Sequence, residues 1–209
     1  MKPNQDMLIP LAENKSSVMV LLKSETSTAH RQLERNRSLS RLFQSDYSIL
    51  EYQELIGKFY GFFSAIEPLI FNDVKIGNSQ VLRHRSKTAS LASDLALLGV
   101  NGSMLTASPC CENLPLLDSF ARRMGAFYVL EGSTLGGRII SKRLKEHFGE
   151  SILDKLNYYQ SYGDDLMTEW AAFQHFMANH FDGKTSEITE VVSAATETFS
   201  CLDSWLQKA

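Results

Sequence analysis

The sequence predicts an all-α fold in a single domain, and three observations support this prediction. Glycine and proline are sparse, with 12 and 5 in 209 residues. Apolar residues recur at the three- and four-residue spacing of amphipathic helices. Serine, aspartate and glycine stand where these stretches begin and end, which are the positions of helix caps.

The first 15 residues differ from the rest of the chain. They are polar and contain two prolines, so we expect a loose leader over residues 1–15 and one domain over residues 16–209. A first helix is predicted to begin at Ser16 or Ser17 and to run to about Arg35.

A second, longer helix follows. Ser48 and Glu51 have the spacing of a capping box, and the apolar pattern after them predicts a helix that ends or bends at Pro68. Another helix is predicted over residues 81–98, with Gly99 just beyond its end.

The second half of the chain is predicted to be helical as well. We expect a loop over residues 99–115, followed by a helix over residues 116–148 that Gly149 ends. A further helix is predicted to be capped by Asp164 or Asp165 and to run through Phe181. A turn at Asp182-Gly183 then leads to a last helix over residues 185–206. These elements indicate one helical domain without an internal repeat.

Composition and charge exclude several classes of protein. The net charge of −3 argues against a general nucleic-acid binder. No apolar run approaches the length of a membrane-spanning helix, and the amino terminus lacks a signal-peptide pattern. The three cysteines form no C-x-x-C motif that would indicate a zinc or iron–sulfur site, and they suit a reducing cytoplasm.

His30 is the first candidate for a functional site. Glu34 follows it at i+4, so the two side chains can meet on a helix. In one interpretation they form a surface pair worth ~0.2–0.5 kcal/mol. In the other, iron is bound by one ring nitrogen while Glu34 orients the other, as metal-bound histidines usually require. Lys23 lies two turns earlier, within reach of an acidic edge of the same ligand.

Three glycines in the predicted helix over residues 116–148 form the second candidate. Gly132, Gly136 and Gly137 each cost ~1 kcal/mol relative to alanine inside a helix. Such a cluster indicates either tight packing between helices or close approach of a ligand to the main chain. The neighbouring Phe127 suits both interpretations.

The two segments together resemble the haem oxygenases. The proximal pattern L-K-x-x-T-x-x-x-H-x-x-x-E is matched by Leu22, Lys23, Thr26, His30 and Glu34. The distal pattern of the bacterial branch, E-G-S-x-L-G, is matched by Glu131, Gly132, Ser133, Leu135 and Gly136. The resemblance is closest to the biliverdin-forming enzymes found beside bacteriophytochromes, and it implies a helical bundle with haem between a proximal and a kinked distal helix.

The resemblance assigns roles to particular residues. It implies that His30 is the axial iron ligand, that Glu34 is its hydrogen-bond partner and that Lys23 lies near a haem propionate. Thr26 belongs to the same proximal pattern and is expected to contact haem.

On the distal side, the resemblance implies that Gly132 and Gly136 let the main chain approach bound oxygen. Ser133 stands where mammalian relatives carry an aspartate that anchors water. Phe127, Gly137 and Phe199 are expected to contact haem, although core packing explains Phe199 equally well.

The function implied by the resemblance is oxidative cleavage of haem. Haem is both cofactor and substrate, O2 and electrons are consumed, and the products are biliverdin, carbon monoxide and ferrous iron. The electrons would come from an external donor, a ferredoxin- or flavin-type reductase, and a bacteriophytochrome is a candidate acceptor of biliverdin. The alternative is a haem carrier or sensor that has the same fold and no turnover.

A basic cluster lies outside both patterns. His84 stands among Arg83, Arg85 and Lys87, and we interpret this segment as a solvated basic face or as a docking surface for an electron donor.

Overall fold

A computed structural model describes residues 17–208, which form α-helices and short 3₁₀ turns without a β-strand in that range. The α-helices are α1 (Ser17–Glu25), α2 (Ser27–Glu34), α3 (Arg37–Ser40), α4 (Ile49–Phe71), α5 (Val74–Gly77), α6 (Thr88–Leu97), α7 (Gly102–Thr106), α8 (Phe120–Gly132), α9 (Gly137–Phe148), α10 (Leu166–Phe181) and α11 (Thr185–Gln207). The 3₁₀ turns are Arg41–Phe43, Ser133–Gly136, Glu150–Lys155 and Gly163–Asp165. The predicted leader over residues 1–15 lies outside the described residues.

The first predicted helix is divided into α1 and α2 at Thr26. The Thr26 hydroxyl donates a hydrogen bond of 2.6 Å to the Leu22 carbonyl oxygen, a local bond that often bends helices. Main-chain hydrogen bonds continue from Leu22 to His30 through Thr26, so the two helices follow one another closely. The prediction of one uninterrupted helix was therefore wrong at this residue.

The long helix α4 begins as predicted. Ser48 accepts a hydrogen bond from the Glu51 amide, and the Glu51 carboxylate accepts one from the Ser48 amide, which completes the capping box. The helix does not end at Pro68, however. It continues to Phe71 because the Pro68 carbonyl still accepts a hydrogen bond from the Asn72 amide.

The start of α6 differs from its prediction by about two turns. Residues 81–87 form a turn segment, and the helix begins at Thr88. The carboxylate of Glu67, on α4, accepts hydrogen bonds from the Lys87 and Thr88 amides and from the Thr88 hydroxyl. A buried acid from another helix thus caps α6, and sequence spacing does not reveal it.

The later elements agree more closely with prediction. Gly99 and Gly149 have φ values of 95° and 81°, as expected of glycines beyond helix ends. The predicted loop over residues 99–115 contains the short helix α7. Asp165 takes the N-cap position of α10, but its side chain makes no capping hydrogen bond.

The glycine segment interrupts the predicted helix over residues 116–148. Helix α8 begins at Phe120, where the Ser119 hydroxyl accepts a hydrogen bond from the Arg122 amide. It ends at Gly132, the chain makes a 3₁₀ turn over Ser133–Gly136, and α9 continues. A 3₁₀ stretch inside a longer helix marks a bend or functional hinge. We call Gly132–Gly137 the distal bend, and the predicted kink is present.

Helix α11 contacts the helices that carry both candidate segments. It packs along α8 and also contacts α1 and α2. The close contact with α8 is possible because Gly125 has no side chain, and a β-carbon there would collide with the Val191 carbonyl. No helix in residues 17–208 has the length and apolar character needed to cross a bilayer.

Candidate functional site

His30 presents an accessible imidazole on α2. Its side chain is 56% exposed, and Nδ1 lies 3.5 Å from Glu34 Oε1. The ring meets Phe199 of α11 edge-on, with centroids 5.5 Å apart. Within residues 17–208, no side chain or main-chain group hydrogen-bonds Nε2, so this nitrogen is available to a ligand.

The glycines of the distal bend serve two different purposes. A β-carbon on Gly137 would collide with the Tyr159 carbonyl, so this glycine allows tight packing between segments. A β-carbon on Gly136 would meet nothing within 4 Å, and one on Gly132 would meet only the Trp170 ring, at 4.0 Å. Internal packing therefore explains Gly137, whereas Gly132 and Gly136 leave bare main chain beside open space.

A series of contacts brings the proximal helix and the distal bend together. Burial raises the pKa of Tyr128, on α8, and the neighbouring Thr26 side chain, one turn before His30, opposes that increase. The Tyr128 ring lies 6.0 Å from that of Trp170, which borders Gly132. Tyr128 and Trp170 thus link the helix that carries His30 to the segment that carries Gly132.

Two predicted contact residues also pack within the protein. Phe127 is 1% exposed and packs between Phe71 and Phe173, with ring centroids 5.2 and 5.6 Å away. Gly137 packs against the Tyr159 carbonyl. Their assignment as haem contacts stays a prediction. Lys23 is exposed on the last turn of α1, where its ammonium group is accessible.

Ser133 is held by two internal hydrogen bonds. Its hydroxyl donates to the Leu130 carbonyl at 2.6 Å and accepts from the Tyr158 hydroxyl at 3.0 Å. The single hydroxyl proton of Ser133 is therefore used within the protein. Tyr158 is 2% exposed, and burial raises the pKa of its phenol above the ordinary value.

Glu131 is the centre of a buried ion cluster. Its carboxylate pairs with the Arg85 guanidinium, lies 3.5 Å from Lys87 Nζ and accepts a hydrogen bond of 3.0 Å from the Tyr162 hydroxyl. Arg85 also pairs with Glu169 of α10 at 2.6 Å. Burial lowers the pKa of Lys87, although Glu131 favours its charged form.

This cluster corrects the interpretation of residues 83–87 as a solvated basic face. The side chains of Arg85 and Lys87 are 0% and 3% exposed, and of the basic residues in this segment only His84 and Arg83 are on the surface. Sequence reasoning missed the cluster, together with Tyr158 and Tyr162. The one available signal was the concentration of tyrosines just before Gly163.

The described residues fit a haem held by one axial ligand. Residues 17–208 contain no group of three or more histidine, cysteine or acidic side chains that could enclose a metal ion by themselves. The accessible imidazole of His30, with the Glu34 carboxylate behind it, suits an iron whose other ligands come from a porphyrin. The uncovered main chain at Gly132 and Gly136 leaves room for a flat group.

Comparison with known sequences gives a consistent result. A sequence model of the family described as "Heme oxygenase" matches residues 16–208. A relative described as "Heme oxygenase", from Xanthomonas campestris pv. campestris (strain 8004), is 26% identical over 112 residues. That match covers 54% of this chain and 62% of the relative, which is less than two thirds of the relative's length.

Solved structures show the same fold. The heme oxygenase from Leptospira interrogans has a TM-score of 0.71 at 13% identity, with 92% of this chain and 100% of that chain covered. The NO- and CO-bound heme oxygenase from Neisseria meningitidis has a TM-score of 0.72 at 19% identity, over 91% and 90%. Heme oxygenase-1 from Synechocystis sp. PCC6803 in complex with heme has a TM-score of 0.64 at 15% identity, over 90% of each chain. Because the family pattern extends over the whole helical domain, the chain belongs to the heme oxygenase family.

Proposed function

We propose that this protein is a haem oxygenase, which uses O2 and external electrons to cleave haem to biliverdin, carbon monoxide and ferrous iron. One observation carries the proposal. A half-exposed imidazole with a free Nε2 is linked, through Tyr128 and Trp170, to a main-chain segment whose Gly132 and Gly136 have no internal packing role. Family membership supports the same function.

The proximal residues bind and orient the substrate. Bound haem supplies the redox-active iron and is also the molecule that is cleaved. His30 binds through Nε2, because its Nδ1 faces Glu34. A hydrogen bond from Nδ1 to the carboxylate would leave the Nε2 lone pair to a metal. Lys23 offers a cation to a propionate, and Phe199 limits rotation of the imidazole ring.

The distal bend shapes the opposite side of the site. Gly132 and Gly136 present no side chain to this space, and only the Trp170 ring lies 4.0 Å from the position of a Gly132 β-carbon, so we assign the steric limits there to peptide groups. Ser133 has no hydroxyl proton to offer to another group, since its hydroxyl donates that proton in a hydrogen bond to the Leu130 carbonyl oxygen. We therefore assign the binding of proton-donating water to main-chain groups of the bend, with Ser133 as an acceptor at most.

Electrons have to come from a partner protein. Cleavage of the ring consumes electrons that neither a histidine ligand nor a glycine bend supplies, so the proposal includes a ferredoxin- or flavin-type reductase. Because the E-G-S-x-L-G pattern resembles that of the bacterial branch, a bacteriophytochrome is a candidate acceptor of biliverdin, and release of iron is the alternative purpose.

Aerobic reduction of the haem complex tests the activity. Purified protein is mixed with hemin, a surrogate reductant is added in air, and the absorption spectrum is followed. We expect loss of the Soret band and formation of a bilin that chromatography identifies. A stable ferrous–oxy complex without bilin would contradict the enzyme and support a carrier or sensor.

Replacement of His30 tests the assigned ligand. In His30→Ala we expect the ferric spectrum to lose the features of histidine coordination, because no other described side chain replaces Nε2. His84→Ala is the matched control, since His84 is also exposed and lies 3.4 Å from a carboxylate, that of Glu169. Unchanged axial coordination in His30→Ala would refute the assignment.

A further inference from the structure

Two tyrosines from one short segment contact the residues on either side of Gly132. The Tyr158 hydroxyl donates to Ser133 Oγ at 3.0 Å, and the Tyr162 hydroxyl donates to Glu131 Oε2 at 3.0 Å. Both tyrosines lie between α9 and α10, a region that neither motif includes. The main chain at Gly132 is thus held from both sides by a single neighbouring segment.

Each tyrosine is itself fixed by its surroundings. The Tyr158 ring lies 5.5 Å from both Phe59 and Phe63 of α4, measured between ring centroids. The Tyr162 hydroxyl accepts a hydrogen bond of 2.5 Å from Lys87 Nζ. Since Lys87 and Tyr158 are almost fully buried, these contacts are shielded from water and change little in position.

At its carboxyl end the distal bend is held by the packing of Gly137 against Tyr159, whereas its amino end has fewer supports. It consists of a 3₁₀ turn with glycine at both ends, and 3₁₀ hydrogen bonds have poorer geometry than those of an α-helix. Neither Gly132 nor Gly136 contributes packing. The location of this main chain therefore depends on the side chains that hold Glu131 and Ser133.

We propose that Tyr158 and Tyr162 are positioning residues that hold the main chain at Gly132 in one place and thereby direct cleavage to one meso carbon of haem. This inference rests on the proposed function. Because Gly132 and Gly136 present main chain rather than side chains to this space, the proposal assigns selection among the meso carbons to the position of their peptide groups. A displacement of about 1 Å is enough to change reactivity strongly at an active site.

The test compares three tyrosine-to-phenylalanine variants. Tyr158→Phe and Tyr162→Phe each remove one hydroxyl that contacts the bend. Tyr52→Phe is the control, because Tyr52 is as buried as Tyr158 and its hydroxyl donates to the Lys155 carbonyl at 2.9 Å rather than to a residue of the bend. Each protein is allowed to turn over hemin with a surrogate reductant, and chromatography gives the distribution of biliverdin isomers.

We expect a broader isomer distribution in Tyr158→Phe and Tyr162→Phe than in the wild type, and no change in Tyr52→Phe. A general loss of stability would lower the yield in all three variants without moving this distribution. If both test variants keep the wild-type distribution, the inference is overturned, whatever their stability.

A second readout needs no haem. Amide hydrogen exchange of the haem-free protein, followed by mass spectrometry, reports the opening of residues 131–137. We expect roughly fivefold faster exchange there in Tyr158→Phe and Tyr162→Phe, the factor that corresponds to loss of one ordinary hydrogen bond. Exchange at wild-type rates in both variants would also overturn the inference.

The two readouts separate this inference from the proposed function. Wild-type protein that binds hemin and forms no bilin would refute the proposed function. Hydrogen exchange then decides by itself whether the tyrosines hold the bend.

Discussion

At the scale of single residues, the glycines near the site are required for two distinct reasons. At Gly125 and Gly137, a carbonyl oxygen of another segment lies where a β-carbon would be. At Gly136, that space is open. Adjacent glycines in one motif therefore differ: the space beside Gly136 is open, whereas Gly137 allows close packing.

This difference predicts opposite effects of the same substitution. Gly137→Ala should lower the free energy of unfolding by ~1–3 kcal/mol, because the Tyr159 main chain has to move. Gly136→Ala should leave stability unchanged or raise it by up to ~1 kcal/mol, because its φ of −73° and ψ of −17° suit alanine. Chemical denaturation of the haem-free proteins measures the free energy of unfolding of both variants. An equal loss of stability in Gly136→Ala and Gly137→Ala would refute the difference between the two glycines.

At the scale of elements, helix boundaries depend on acidic side chains in two ways. Glu51 caps its own helix, α4, and also pairs with Arg41 of the preceding 3₁₀ turn at 2.8 Å. Glu67 caps α6 from a different helix. The Glu51 cap can be predicted from the spacing of residues in the sequence, whereas the Glu67 cap depends on how α4 packs against α6.

The Glu51 interactions predict a pH dependence of stability. Hydrogen bonds from Arg41, and then from Ser48, lower the pKa of Glu51 from 4.5 to about 2. A carboxyl group whose pKa is lowered by folding stabilises the fold above its ordinary pKa, and this contribution disappears as the pH falls through the folded value. Part of the stability should therefore be lost between pH 4.5 and about 2.

Thermal denaturation over that range checks this prediction. Glu51→Gln should show a flatter dependence of the melting temperature on pH than the wild type. Glu54→Gln is the control, since Glu54 lies on the same helix and hydrogen-bonds to no group within residues 17–208. If the melting temperature of Glu51→Gln depended on pH as steeply as that of the wild type, this result would count against the lowered pKa of Glu51.

At the scale of the whole molecule, the buried ion cluster joins three parts of the chain. Arg85 comes from the turn segment before α6, Glu131 from the end of α8 and Glu169 from α10. A buried pair of this kind is weak evidence for stability in itself, but removal of one partner is costly. The cluster thus couples the distal bend to the surrounding helices.

A double-mutant cycle measures this coupling. Arg85→Met should lower the free energy of unfolding by ~3–5 kcal/mol, because Glu131 loses its buried cation. Arg85→Met combined with Glu131→Leu should cost less than the sum of the single changes, by ~0.5–3 kcal/mol. Lys145→Ala, which removes an exposed pair with Glu150, should change stability by less than ~1 kcal/mol. Additive effects within the cluster would contradict the coupling.

The sequence by itself determined the features that depend on nearby residues. Helical periodicity, the Ser48–Glu51 capping box and the glycines beyond helix ends involve residues within one or two turns, so they were predicted correctly. The His30 and Gly132 patterns were found in the same way, because each is a short motif. Their combination also indicated the family.

Only the tertiary structure decided which groups are buried and paired. Arg85 reaches a carboxylate 46 residues away, Tyr158 reaches Ser133 at a separation of 25, and Lys87 reaches Tyr162 at 75. A basic run looks the same in the sequence whether water or Glu131 surrounds it. The difference arises because burial and hydrogen bonding depend on partners that only folding brings together, and these partners hold the distal bend.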